Sequence, residues 1–227
     1  MAAAWLIFVV FAGVVGGVAY LGYYLKKKRR EGLAFAARQM GMQFALSDPF
    51  DTLSEPFDLL EKGDGRGVEN VMWGTWQDIE CRLFDYWYYD ESTDSKGNRS
   101  RTYHRFSCVM SPVEASCSHL TLGKENVFTR MGDHLGFRDI ELESEEFNRE
   151  FTVRSPDRKF AVDFCDARMM QWLLGHGQDF GFEVVGDRLL ASCKRLQPTG
   201  LVPLLGSMKG FRDQIPRVVY SLYPKPG

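Results

Sequence analysis

The chain has 227 residues, 44% of them hydrophobic and 14% aromatic, which is enough apolar material for the core of one large domain or two small ones. Five of its 28 lysines and arginines lie at residues 26–30, so the rest of the chain carries 23 basic and 30 acidic side chains, a formal charge of −7. A nucleic-acid partner is therefore disfavoured, because binding a phosphate backbone requires a basic surplus on some face.

The N-terminal segment, residues 2–25, carries no charge. As a helix these 24 residues would extend about 36 Å, more than the roughly 30 Å of a bilayer's hydrocarbon core. A signal peptide fits less well, since its positive charge precedes the apolar stretch, whereas here the charges follow it. The pattern predicts a transmembrane helix over residues 1–25 and a basic stop formed by Lys26, Lys27, Lys28, Arg29 and Arg30.

Orientation and membrane contacts follow from the same charges. The positive-inside rule puts the N-terminus outside and the rest of the chain in the cytoplasm, as a single-pass protein of the plasma membrane. The lipid bilayer is thus the first predicted partner, with the basic residues 26–30 at the membrane interface, where they would meet anionic head groups.

A small-residue motif lies within the uncharged segment. Gly13 and Gly17 form a G-x-x-x-G pattern, which lets two helices approach closely in lipid. Such a ridge would allow a homodimer through Gly13 and Gly17, and the alternative is that the glycines only face lipid, where small residues are common in helices.

The next 36 residues connect the basic stop to the domain. Apolar residues from Leu33 to Phe44 have near-helical spacing and predict a juxtamembrane helix that ends near Gly41. An ordered loop follows to residue 66, and residues 63–67 are rich in glycine without the ending of a phosphate-binding loop, so we interpret them as a flexible lead into the first strand. The soluble domain is predicted over residues 67–227.

The domain begins with sequence typical of β-strands. Residues 68–75, 77–89 and 103–110 are rich in β-branched and aromatic side chains, with a polar hairpin loop at 91–101 and a further short strand at 120–122. Because these strands follow one another closely, we expect an antiparallel sheet and an α+β fold.

The second predicted strand contains the most unusual local composition of the chain. Alternation along a strand separates Tyr86 and Tyr88 from Trp87 and Tyr89, so aromatic rings are expected on both faces of the sheet. One face must belong to the core, and the other is either covered by another element or exposed for binding. The docking site predicted for a membrane protein partner is Tyr86, Trp87, Tyr88 and Tyr89, on the hairpin 86–103.

The last third is predicted to contain a strand at 151–154, a helix over about 158–174, and a hairpin that turns at Gly186 and Asp187. A final helix is expected over 199–222, with Pro203 in its first turn and a kink at Pro216. The acidic residues Glu141, Glu143 and Glu145 either face a cation or basic partner or form a solvated edge before a helix.

The acidic segment also carries a resemblance to a known family. Residues 138–153, together with Asp157, Phe160, the run 168–170 and a His-x-Phe strand at His104 and Phe106, are similar to the signature of a bacterial family associated with actinobacteria. Members of that family are membrane-anchored proteins with a domain of unknown function. The resemblance implies a membrane-anchored domain and no catalytic residue.

Signals for chemistry are weak elsewhere in the sequence. The histidines at 104, 119, 134 and 176 are dispersed, and Cys117 and His119 lack the second ligand pair of a zinc site. The five cysteines are an odd number without close pairing, which favours reduced thiols. We therefore predict no metal, no cofactor and no catalytic residue.

These patterns favour a membrane-anchored binding or scaffold protein at the inner face of the plasma membrane rather than an enzyme. The alternative is a membrane-tethered, hydrolase-like enzyme whose site is assembled only in space, since a catalytic triad needs no proximity in sequence.

Overall fold

A computed structural model describes residues 2–124 and 138–226, with only the backbone described for residues 2–10 and Arg138. One long helix, α1 (Ala2–Gln39), forms the N-terminal part. It joins the segments predicted as transmembrane helix, basic stop and juxtamembrane helix into one element. The helix ends before Gly41, whose φ of +69° suits a glycine at a helix C-terminus.

The predicted transmembrane helix is wrong. Among the residues that the structure describes, no helix combines the length and the apolar character needed to cross a membrane. α1 continues from the uncharged stretch through the basic residues 26–30 without a break. The prediction that the N-terminus lies outside the cell depended on this transmembrane helix. It is therefore no longer supported.

The predicted antiparallel sheet of an α+β fold is present. Within the described residues its strands are β1 (Gln43–Ser47), β2 (Gly65–Trp76), β3 (Ile79–Thr93), β4 (Arg99–Gly123), β5 (Arg138–Asp139), β6 (Thr152–Ser155) and β7 (Gly181–Lys194). Their order is β1-β2-β3-β4-β6-β5, with β7 also paired to β4. The 25-residue β4 joins the segments predicted at 103–110 and 120–122 and pairs with three other strands.

The hairpin predicted around Gly186 is wrong. β7 is one continuous strand that pairs with β4 from Phe182 to Lys194. Gly186 adopts a positive φ of +56° where the register shifts beside Cys117, so the glycine marks an irregularity within a long strand and not a turn.

Three helices between β5 and β7 begin at side-chain caps. Ser144, Asp157 and Asp166 accept hydrogen bonds from backbone amides in the first turns of three helices. These are α3 (Glu145–Glu150), α4 (Arg158–Phe164) and α5 (Ala167–His176), so the single helix predicted over 158–174 is two. The final segment is likewise divided at Pro216 into α6 (Leu201–Gln214) and α7 (Arg217–Leu222).

Hydrophobic side chains form two clusters. The larger cluster contains helices α4 to α7 and the C-terminal part of α1, where Leu33 and Ala37 are buried. At its centre the Phe182 and Phe211 rings stack with their centroids 4.3 Å apart. The smaller cluster lies beneath the four-residue helix α2 (Asp58–Glu61) and includes Tyr86 and Tyr88. The sheet is thus covered on both faces over its central part.

All five cysteines are buried free thiols. Burial raises the pKa of Cys81, Cys117 and Cys193 to about 12, so these sulfurs stay protonated at neutral pH. They pack as small apolar side chains and offer no activated nucleophile.

Candidate functional site

One buried ion pair attaches α1 to the sheet. The Arg29 guanidinium donates from Nε to Asp85 Oδ2 over 2.8 Å and from Nη2 to Asp85 Oδ1 over 2.6 Å. Its third nitrogen, Nη1, donates to the carbonyl oxygen of Leu196 at 2.6 Å. Asp85 also accepts from Asn70 Nδ2 at 2.8 Å. A two-point contact between planar groups fixes the orientation of α1 as well as its position.

The other basic residues of the predicted membrane interface are divided between the domain and solvent. Lys26 Nζ lies 3.2 Å from Glu69 Oε2, and Arg30 Nη2 lies 4.0 Å from the same oxygen. Lys27 pairs at 3.9 Å with Glu31 of its own helix, and Lys28 is exposed. Arg29 is therefore a structural residue of the domain, while the Lys27 and Lys28 side chains lie at the surface.

The part of α1 that precedes the basic residues is exposed and apolar. Phe11, Val18 and Tyr20 are 65%, 68% and 70% exposed, and residues 11–25 contain no charged side chain. Soluble proteins seldom leave an apolar surface of this extent without a partner or a membrane against it. This segment is the first candidate binding element.

The predicted aromatic docking residues lie on two different faces of the sheet. Tyr86 and Tyr88 are 1% and 3% exposed and belong to the smaller core cluster. Trp87 and Tyr89 are half-buried on the opposite face, where the 45% exposed Tyr103 of β4 joins them. We call Trp87, Tyr89 and Tyr103 the aromatic face, and only this part of the predicted site reaches the surface.

Two glycines of β2 allow the rings of the aromatic face to lie flat. Gly67 is paired with Trp87 and Gly65 with Tyr89. A Cβ atom on Gly67 would come within 2.7 Å of the indole, and one on Gly65 within 2.5 Å of the phenol ring. The glycine-rich segment that we interpreted as a flexible lead is in fact the support on which these rings rest.

The rings form a nearly continuous surface bordered by arginines. The planes of Trp87 and Tyr89 are within 12° of parallel, with their centroids 6.4 Å apart. The Arg101 guanidinium lies 4.5 Å from the centroid of Tyr89, and that of Arg105 lies 5.1 Å from the centroid of Tyr103. Tyr, Trp and Arg are the residue types that contribute most energy at protein interfaces.

The aromatic face and α1 lie on the same side of the sheet. Side chains two residues apart on a strand point to the same face, so Trp87 and Tyr89 continue the row that begins at Asp85. Arg29 holds α1 on that row at Asp85. The exposed half of α1 therefore extends from the same side of the sheet as the aromatic face.

The described histidines occupy three different environments. His104 stacks on Tyr88 at 4.6 Å and contacts Asp90, and His176 stacks on Trp172. His119 contacts two buried carboxylates, those of Asp58 and Glu183. His134 lies outside the described residues. The contacts of His119 with these carboxylates have no signal in the local sequence, because Asp58 and Glu183 are 125 residues apart.

Burial acts on Glu183 and His119, two of the three titratable groups of this arrangement. It raises the pKa of the Glu183 carboxyl. At His119, burial alone would lower the imidazole pKa, but the carboxylates of Glu183 and Asp58 outweigh it and the pKa is raised. The protonation of Glu183 and the protonation of His119 therefore depend on each other.

Two other features carry no reactive group. A cleft of about 310 Å³ between Phe50, Trp73, Arg82 and Ser111 is also lined by Cys81, whose raised pKa makes it unreactive. The acidic residues Glu141, Glu143 and Glu145 are exposed ahead of and in the first turn of α3. The negative charge of Glu145 in the first turn of α3 interacts favourably with the positive end of the helix dipole. This position agrees with the alternative that the acidic residues form a solvated edge before a helix.

Comparison with known proteins identifies a shared fold. No family model matches the chain, and no curated protein sequence is significantly similar to it. Among solved structures, the chain resembles the crystal structure of the mycobacterial trehalose monomycolate transport factor A, TtfA, with a TM-score of 0.62 and 12% identity. The match covers 88% of this chain and 97% of that one. At this identity the likeness shows the fold, and its mycobacterial source agrees with the actinobacterial family that the sequence resembles.

Proposed function

We propose that this protein is a non-catalytic accessory protein that associates with a bacterial plasma membrane and binds a membrane protein through its aromatic face. The observation that carries this proposal is the placement of two unpartnered kinds of surface, the apolar half of α1 and the aromatic face, on one side of the sheet. A protein bound to the membrane by α1 would present the aromatic face to neighbours at the same surface.

The composition of α1 supports contact with lipid. Tyr20, Tyr23 and Tyr24 precede Lys26, Lys27 and Lys28, and this combination of tyrosine and lysine is typical of the boundary between acyl chains and head groups. The tyrosines are exposed, as is the apolar stretch before them. In this proposal the uncharged N-terminal end of α1 inserts into the membrane interface. Arg29 holds the C-terminal part of the helix on the domain.

The shared fold supports the class of role. The neighbour is named as a mycobacterial trehalose monomycolate transport factor. We propose a comparable accessory role for this chain, in the movement of a lipid-linked molecule at the plasma membrane. Arg105 and Arg101, the latter paired with Glu91, border the rings of the partner-binding surface.

Homodimerisation through α1 remains a second proposal about partners. Gly13 and Gly17 have no heavy atom within 4 Å of the position that a Cβ would take. Their ridge is therefore open to a second copy of the helix.

Vesicle flotation tests the membrane-association part. The full chain is expected to float with vesicles that contain anionic lipid, and a variant lacking residues 2–25 is expected to stay at the bottom of the gradient. The matched control replaces Lys27 and Lys28 by glutamine, which should weaken flotation on anionic vesicles but leave binding to neutral ones unchanged, since apolar contact is retained. Equal flotation of the full and shortened chains would remove α1 from the proposal.

A further inference from the structure

Three potential metal ligands meet between elements that are far apart in the chain. Asp58 begins α2, His119 lies in β4 and Glu183 lies in β7. One donor atom from each side chain lies within 4.8 Å of the other two. The sheet brings two of them together directly, because the register pairs Thr121 with Glu183, and His119 lies two residues before Thr121.

The contacts converge on one atom of the imidazole. His119 Nε2 is 2.7 Å from Glu183 Oε1 and 3.5 Å from Asp58 Oδ1. Two ligands bound at about 2.0–2.1 Å in a tetrahedral metal site lie roughly 3.4 Å apart, which the Asp58 distance already matches. Glu183 would have to withdraw by less than about 1 Å for a metal ion to take the position between the three atoms.

Backbone groups hold Glu183 in place. Its Oε1 accepts from the backbone amide of Asp58 at 2.5 Å, and its Oε2 faces the amide of Leu59 at 3.4 Å. Glu183 is completely buried, and the Asp58 and His119 side chains are 10% and 16% exposed. Outer hydrogen bonds that orient a ligating carboxylate are a regular feature of metal sites.

We propose that Asp58, His119 and Glu183 form a binding site for a divalent transition-metal ion, with Zn²⁺ the best match. One imidazole nitrogen and two carboxylate oxygens are ligands that Zn²⁺, Mn²⁺ and Fe²⁺ accept, and three protein ligands leave a position for water or a fourth group. The bound ion would connect α2 to β4 and β7. The proposal is independent of the membrane role, and it replaces the expectation from the sequence that the chain has no metal site.

Metal uptake by the full chain tests this site. After treatment with chelator, dialysis and addition of ZnCl₂, one Zn²⁺ per chain is expected by elemental analysis. His119→Asn and Asp58→Asn are each expected to weaken Zn²⁺ binding at least tenfold in a competition titration. The matched control is His104→Asn, which removes an imidazole that contacts a different carboxylate, Asp90, and should bind Zn²⁺ like the parent.

The ligand set gives a second readout that does not depend on how the variants fold. X-ray absorption of the zinc-loaded parent should show one imidazole and oxygen ligands, with no sulfur. Failure of the parent to retain Zn²⁺, sulfur in the coordination sphere, or unchanged binding in both folded cluster variants would overturn the proposal. The cluster would then be held by hydrogen bonds alone.

Discussion

Replacement of Asp85 by alanine is expected to lower the free energy of unfolding by about 3–5 kcal/mol, because it leaves a buried guanidinium without its charged partner. The Arg29 and Asp85 side chains are only 11% and 7% exposed, so water cannot take over their interaction. Asn70 would lose its hydrogen bond to the same carboxylate. Urea denaturation of the full chain, followed by tryptophan fluorescence, measures the change.

The control for this variant is Glu91→Ala. Glu91 pairs with Arg101 at 2.6 Å, but the Arg101 and Glu91 side chains are 52% and 31% exposed, so the loss of the pair should cost no more than about 1 kcal/mol. If Asp85→Ala lowers the free energy of unfolding no more than Glu91→Ala does, the Arg29–Asp85 pair does not hold α1 on the domain.

The double substitution Trp87→Ala with Tyr103→Ala is expected to weaken binding to the membrane partner at least thirtyfold, about 2 kcal/mol, the magnitude of an interface hot spot. The loss follows from removing two of the three rings of the aromatic face. The half-buried Trp87 should contribute less to stability than the completely buried Tyr86, whose replacement by alanine should cost about 3–5 kcal/mol. Partner binding is measured by co-purification from native membranes that contain the chain at several expression levels. Stability is measured by thermal unfolding.

A matched surface variant separates docking from general damage. Tyr220 on α7 is 36% exposed and lies outside the aromatic face, so Tyr220→Ala should leave partner binding unchanged. The docking hypothesis fails if the double variant keeps its partner, or if Trp87→Ala unfolds the domain as Tyr86→Ala does.

Local patterns predicted the sheet well because its strands are close in sequence. Alternation and β-branched composition located β2 and β3, and the polar residues between residues 91 and 101 correctly indicated a hairpin. The same rules failed at Gly186, since a glycine beside an aspartate is equally compatible with a tight turn and with an irregularity inside a strand. Only the partner strand β4 distinguishes the two.

The N-terminal helix shows where composition misleads. A charge-free segment followed by basic residues is the pattern of a membrane stop, but Arg29 is held by Asp85, 56 residues away. No local rule connects these residues. Their pairing also explains why Asp85, a charge between two aromatic strand positions, lies 5% exposed inside the domain.

The candidate sites were predictable to different degrees. Aromatic residues on both faces of β3 followed from strand alternation, but the contribution of Tyr103 and of the supporting glycines required the register between β2, β3 and β4. The cluster of Asp58, His119 and Glu183 had no sequence signal, because each residue comes from a different element and the spacing matches no metal motif.

Site-specific photo-crosslinking in cells tests the central claim most directly. A photoreactive phenylalanine analogue at position 103 replaces a side chain that is 45% exposed in the aromatic face, and the same analogue at position 162 on α4 replaces Val162, which is 42% exposed elsewhere. A membrane-bound accessory protein should give, from position 103 alone, an adduct with one membrane protein in the membrane fraction. Identical adducts from both positions, or none from position 103 while the chain is in that fraction, would contradict the proposed function.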